Sequence, residues 1–203
     1  MIRVSKNAEY ERRLIEIRAV DNNEDKMTIE GYAIVFDKPA THKIGNRSFT
    51  EVIRKGALDK TDMKDVPLRY NHNDNVMIMA RTRNKSLRLT VDEKGLKVEA
   101  DLLDTQSNRD LYKAIKEGLI DKMSFAFRVA DGGDTWTFGE KETTREVTNI
   151  ARLYDVSVVD TPFYDSTSIY TRSLELLESE ERRLESLREV EVLKLKIKIK
   201  GEI

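Results

Sequence analysis

Short runs with apolar residues at every second position, broken by polar or glycine-containing turns, recur through most of this chain. A period of two is that of a strand with one buried face. Short strands in close succession pair antiparallel, because parallel neighbours need long crossovers. Leu14-Ile15-Glu16-Ile17-Arg18-Ala19-Val20 and Met27-Thr28-Ile29-Glu30-Gly31-Tyr32-Ala33-Ile34-Val35-Phe36 flank a polar turn at 21–25 and read as a hairpin. It ends at Asp37-Lys38-Pro39, since proline cannot donate to a ladder. Further strands are predicted at 66–70, 77–80, 87–91, 96–102, 123–129, 135–138 and 147–159, with Asp92-Glu93-Lys94-Gly95 the clearest turn between them.

Two helices are predicted inside this pattern. One covers 50–59, with Thr50 as N-cap and Gly56 weakening its end. The other covers 107–117, capped by Ser107 or Asn108, with Leu111, Ala114 and Ile115 at helical spacing and Gly118 as the stop. The expected fold class is therefore α+β, mainly antiparallel β, with a curved or barrel-like sheet and a few surrounding helices. Past Tyr170 the composition changes. Leucines at 174, 177, 184 and 187 stand among charges, the pattern of a solvated helix with one narrow apolar seam, and 193–200 alternates strictly with lysines. That last stretch fits a strand with a lysine face, a disordered end or a frayed helix end. The expected organisation is one domain over 1–172 and a charged helical tail over 173–203.

Composition narrows the chemistry. With no cysteine, disulfides, thiolate metal sites and a cysteine nucleophile are ruled out. Lys+Arg is 36 against Asp+Glu 37, so no global charge draws the chain to nucleic acid or an anionic membrane. The charged N-terminal sequence lacks an apolar targeting region, and no later stretch has the ~20 apolar residues of a membrane helix, so a cytoplasm-like compartment is expected. No phosphate-binding glycine loop, zinc-binding histidine pair or calcium loop occurs, and neither a cofactor nor a metal is expected.

Only two histidines, His42 and His72, are available as a general base near neutral pH. His42 lies in the polar stretch Ala40-Thr41-His42-Lys43-Ile44-Gly45-Asn46, where a solvated loop histidine is the ordinary expectation. His72, in Arg69-Tyr70-Asn71-His72-Asn73-Asp74, closes an apolar run. It is either a base held at a strand edge or a histidine that bonds its own loop. Ser124 shares one face of its strand with Ala126 and Arg128, while Met123, Phe125, Phe127 and Val129 share the other. A small polar face on an aromatic strand suits the floor of a site, or a solvent-facing sheet surface. No G-x-S-x-G surrounds it, which excludes an α/β-hydrolase elbow.

An ordered set of landmarks resembles a known family. It comprises Ile29-Glu30-Gly31-Tyr32-Ala33-Ile34-Val35-Phe36-Asp37, Gly56-Ala57-Leu58, Asn71-His72-Asn73, Gly95-Leu96-Lys97-Val98-Glu99-Ala100, Gly118 to Phe127, and Leu153-Tyr154-Asp155-Val156-Ser157-Val158-Val159 with Pro162. Together they resemble the prohead proteases of tailed bacteriophages, over about residues 10–172. The resemblance implies a fold like that of the herpesvirus assembly proteases. It also implies serine endopeptidase activity on the major capsid protein and scaffold domain, inside the assembling prohead in the host cytoplasm, with self-cleavage and self-association as further expectations. By motif the family's histidine falls on His72 and its serine on Ser124. Asp155 is the preferred third member, with Glu146 and Asp160 as alternatives depending on register, and Ser157 matches a structural position. Arg128, Arg145 and Arg152 are the cationic candidates for an oxyanion stabiliser. The competing reading is a non-catalytic capsid scaffold or shell-binding assembly protein, with the tail as the segment that recruits it.

Overall fold

In the computed structural model, the structure describes residues 11–20, 26–44, 47–139, 142–160, 182–183, 185–192 and 194. The chain divides into two units, residues 1–164 and 165–203.

The first unit is built on an eight-stranded sheet. Its strands are β1 (Glu11–Val20), β2 (Thr28–Val35), β5 (Pro67–Tyr70), β6 (Ala80–Arg81), β7 (Leu87–Val91), β8 (Gly95–Asp101), β9 (Lys122–Val129) and β12 (Ile150–Val159), in the order β6-β5-β12-β9-β1-β2-β8-β7. All neighbours are antiparallel except β5 and β12, which run parallel. The outermost strands β6 and β7 are joined by a single 3-10 turn, Thr82–Asn84. Across that turn the Arg81 N–H donates to Ser86 Oγ at 2.9 Å, and the Asp101 N–H donates to the Ser86 carbonyl at 2.8 Å. The two edges are therefore brought together, and the sheet is a nearly closed barrel. Closure removes the exposed edges that would otherwise template aggregation.

Phe125, Phe127, Met123, Leu153, Leu68, Ile29, Leu96 and Val98 fill the interior, each essentially inaccessible to solvent. Two glycines mark close backbone approaches. A Cβ on Gly31 would sit 2.6 Å from the Glu16 carbonyl oxygen, and one on Gly95, at φ 158°, would sit 1.9 Å from that of Ile34. One helix, α1 (Gln106–Lys116), packs on the barrel through Ile115. It starts earlier than the sequence suggests: Thr105 is the cap, its hydroxyl accepting from the Asn108 N–H at 3.3 Å. Asn108 instead turns inward and donates to the Leu103 carbonyl at 2.8 Å. Gly118, at φ 71°, ends the helix as expected.

A second sheet holds β3 (Ala40–Ile44), β4 (Arg47–Ile53), β10 (Asp134–Phe138) and β11 (Thr143–Val147) in the order β10-β11-β4-β3. The sequence misleads four times, three of them in this sheet. The helix expected at 50–59 is absent: residues up to Ile53 belong to β4, and turns follow. Phe49, Glu51 and Ile53 are buried in alternation, a strand period disguised because the middle position is an acid. Glu51 is tolerated there because Arg145 lies 3.0 Å away and is bound to Asp134 as well. His42, expected in a loop, lies on β3 beside Phe49, with Nε2 3.8 Å from Glu51. The single strand expected at 147–159 is two, since Thr148 and Asn149 end β11 before β12 begins. The strand expected at 77–80 shrinks to Ala80–Arg81, with Met77 exposed.

In the second unit the described residues between 182 and 194 are helical and exposed, Leu187 and Val190 among them. The alternating stretch at 195–200 lies outside the described residues.

Candidate active site

The outer face of β9 and β12 carries the site. In their antiparallel register Ser157 opposes Ser124 and Asp155 opposes Ala126, so these four side chains share one face, while Val156 opposes Phe125 on the core side. Strict alternation would not produce this. Leu153, opposite Phe127, faces the core, and two residues further on Asp155 would face it too. A register shift between Leu153 and Asp155 inserts Tyr154 as an extra residue and turns Asp155 outward. The bulge re-aims a carboxylate that would otherwise point among phenylalanines, where an unpaired charge is costly.

His72 reaches this face from the end of β5. The Asn73 N–H donates to the Tyr70 carbonyl at 3.0 Å, and Asn71 and His72 both have left-handed backbone, at φ 53° and 52°. Two consecutive positive φ values make a tight turn of type I′. Asn adopts this conformation more readily than most residues, and the cost to His72, of order 1–3 kcal/mol, must be offset by fixed contacts. Those contacts are present. The Asn71 N–H continues the β12 ladder to the Val158 carbonyl at 2.9 Å, and Asn71 Oδ1 accepts from the Asp160 N–H at 3.2 Å. Arg69 braces the far side, 3.3 Å from the Asn73 carbonyl and 2.9 Å from Asp74.

The turn lays the imidazole against β9 and β12, its side chain only 1% exposed. Nε2 is 2.8 Å from Ser124 Oγ, and Nδ1 is 2.6 Å from Asp155 Oδ1. An ionised carboxylate only accepts, so Nδ1 carries the hydrogen and Nε2 presents its lone pair to the Ser124 hydroxyl. Ser157, fully buried, completes the cluster. Its hydroxyl accepts from the His72 N–H at 3.2 Å and donates to Asp155 Oδ1 at 2.9 Å, also lying 3.2 Å from Nδ1. The arrangement can do one thing that its parts cannot: move a proton off a serine hydroxyl while an oriented acid faces the imidazolium that results.

The other sequence candidates lie elsewhere. Glu146, on β11, pairs with Arg54 at 2.5 Å, and that guanidinium holds its carboxyl below the ordinary range. Asp160, just past β12, accepts from the Tyr70 hydroxyl at 2.7 Å, which raises the phenol's pKa. Arg145 is buried in the second sheet, while Arg128 and Arg152 lie on the site face. Sequence reading gave Ser157 no part in the cluster, although its two-residue spacing from Asp155 signalled a shared face. Among the described residues no group of three or more His, Asp or Glu side chains could hold a metal ion, and no helix is long and apolar enough to cross a membrane.

Residues 13–181 match the family model described as caudovirus prohead serine protease. The chain belongs to that family. No curated protein and no solved structure gives a significant match. Membership makes this a serine protease of phage capsid maturation, acting on capsid protein within the assembling procapsid in the host cell. The match spans β2 to β12 in full, and with them both strands of the site face and the turn that carries His72.

Proposed function

We propose that this prohead protease is a serine endopeptidase in which Ser124 is the nucleophile, His72 the general base and acid, and Asp155 the group that orients His72. The supporting observation is the unbroken buried chain Ser124 Oγ, His72 Nε2, His72 Nδ1, Asp155 Oδ1. As Ser124 Oγ attacks a peptide carbonyl carbon, Nε2 takes its proton and Asp155 stabilises the imidazolium. The tetrahedral adduct then expels the amine, which takes the proton from Nε2, leaving an acyl-serine. Water, deprotonated by the same nitrogen, adds to the ester and releases the new carboxylate and the free serine.

The substrates are the major capsid protein and its scaffold domain, together with the protease chain itself. The catalytic body spans 1–172, and 173–203 serves to recruit it to the shell. Co-expression with the cognate coat protein tests this by mass. Wild type trims coat protein or itself, and Ser124→Ala leaves both whole. Assembly of particles with uncut coat protein in the presence of wild type would show a non-catalytic shell-binding role instead. Deleting 174–203 leaves peptide cleavage intact and lowers incorporation into proheads.

A further inference from the structure

Arginine placement on the site face breaks a rule that the rest of the body obeys. Every other arginine of the body whose side chain is described forms an ion pair with a carboxylate. Arg128 and Arg152 form none among the described residues. They are also directly opposite one another, on β9 and β12, with both side chains exposed. Like charges opposed across a sheet destabilise it, and with acids as numerous as bases the chain had ample means to neutralise them. Asp62, bridged to Arg152 through the backbone, turns its carboxylate to the Lys64 N–H at 3.2 Å. Asp65 is held by Arg81, and Arg152 is the weakest of the charges that act on it.

The position of the pair is as telling as its lack of partners. Alternation puts Ser124, Ala126 and Arg128 on one face, so Arg128 stands about 13 Å along β9 from the nucleophile, four residues at ~3.3 Å each. The Arg152 guanidinium rests over the Tyr154 ring at 5.1 Å, which narrows its rotamers before any ligand arrives. Two arginines at directly opposed strand positions offer forked donors that match a carboxylate. An extended substrate seated at Ser124 spans the same 13 Å in about four residues, and an arginine side chain reaches back along part of it.

Building on the proposed role of Ser124, we propose that Arg128 and Arg152 form a specificity subsite that binds an acidic side chain of the substrate, two to four residues from the scissile bond. The test uses internally quenched peptides that span the coat-protein cut, with Asp or Glu exchanged for Asn or Gln at each position in turn. Wild type cleaves the peptide with the acid at one such position roughly tenfold better in kcat/KM than its amide counterpart, mainly through KM, and the advantage shrinks with added salt. Arg128→Gln with Arg152→Gln removes the advantage but keeps the rate on the amide peptide, which also reports that the exposed substitutions leave the fold intact. Arg128→Glu with Arg152→Glu shifts the preference to Lys at that position. An acidic preference that survives the Gln pair, or its absence from wild type while cleavage still depends on Ser124, overturns the subsite. Cleavage unaffected by Ser124→Ala overturns the reading of the site, and the subsite with it.

Discussion

Ser157→Ala removes one oxygen from the interior and should be felt in two separate measurements. The hydroxyl now donates to Asp155 and accepts from the His72 N–H, and all three residues are buried. Losing a bond to a carboxylate and orphaning a buried N–H cost about 1–3 kcal/mol each, so the fold loses about 2–4 kcal/mol net of relaxation. For a body of this size that lowers Tm by roughly 5–15 °C. Catalysis suffers for a different reason. The His72 turn is left-handed at two residues and is pinned at its second by Ser157, so without the hydroxyl the imidazole and carboxylate settle into a looser geometry. A displacement of about 1 Å costs up to ~10²-fold in rate, so kcat on the coat-protein peptide falls tenfold to 10²-fold with KM little changed. Thermal melts read the first effect and steady-state kinetics the second. The decisive measurement is the cycle with Asp155→Asn: if Ser157 acts through the acid, its kcat effect largely disappears in that background. A Tm loss with unchanged kcat would refute the positioning role, and an equal kcat loss in both backgrounds would place that role on the His72 turn and not on the acid.

Three further outcomes follow from the same geometry. Asp155→Asn lowers kcat by about 10³–10⁴-fold, whereas Glu146→Gln and Asp160→Asn stay within a few-fold of wild type in the same peptide assay; a large loss from either of the last two would move the third role to that residue. Deleting Tyr154 removes the bulge but leaves Leu153 opposite Phe127 and Asp155 opposite Ala126, so Asp155 stays on the site face and activity is retained within a few-fold, as it is in Tyr154→Ala; lost activity in a deletion variant that still melts cooperatively would contradict the bulge argument. Stability falls on acidification, because Arg18 and Arg88 hold the Glu30 and Asp101 carboxyls below their ordinary values. These groups take up protons more readily unfolded than folded, so their contribution is complete above about pH 5.5 and is lost as pH falls below about 4.5. Denaturant titrations at several pH values read this, Arg88→Gln reduces the slope, and a wild-type stability flat across that window would refute it.

Much of this molecule was legible without coordinates. Period-two alternation is a local property, so the strands of the barrel, from the first hairpin through β7, β8 and β9, stand out in the sequence wherever one face is apolar. The same holds for the helix that stops at Gly118. The scarcity of histidine and the absence of cysteine left few candidates for the chemistry. Of the strands that escaped notice, β4 and β11 each carry a charge at a buried position, Glu51 and Arg145, and these read as surface residues until each is seen to neutralise the other.

Tertiary structure alone decided how the site residues meet. His72 and Ser124 are far apart in the chain, and only the pairing of β5 with β12 and of β12 with β9 brings them to hydrogen-bonding distance. Which of three acids meets His72 depended on one extra residue, since a bulge reverses which face a side chain takes and no local preference announces it. Where two strands touch is written in the sequence by their apolar faces. In which register they touch, and with which residue left over, is settled only when every strand of the barrel packs at once.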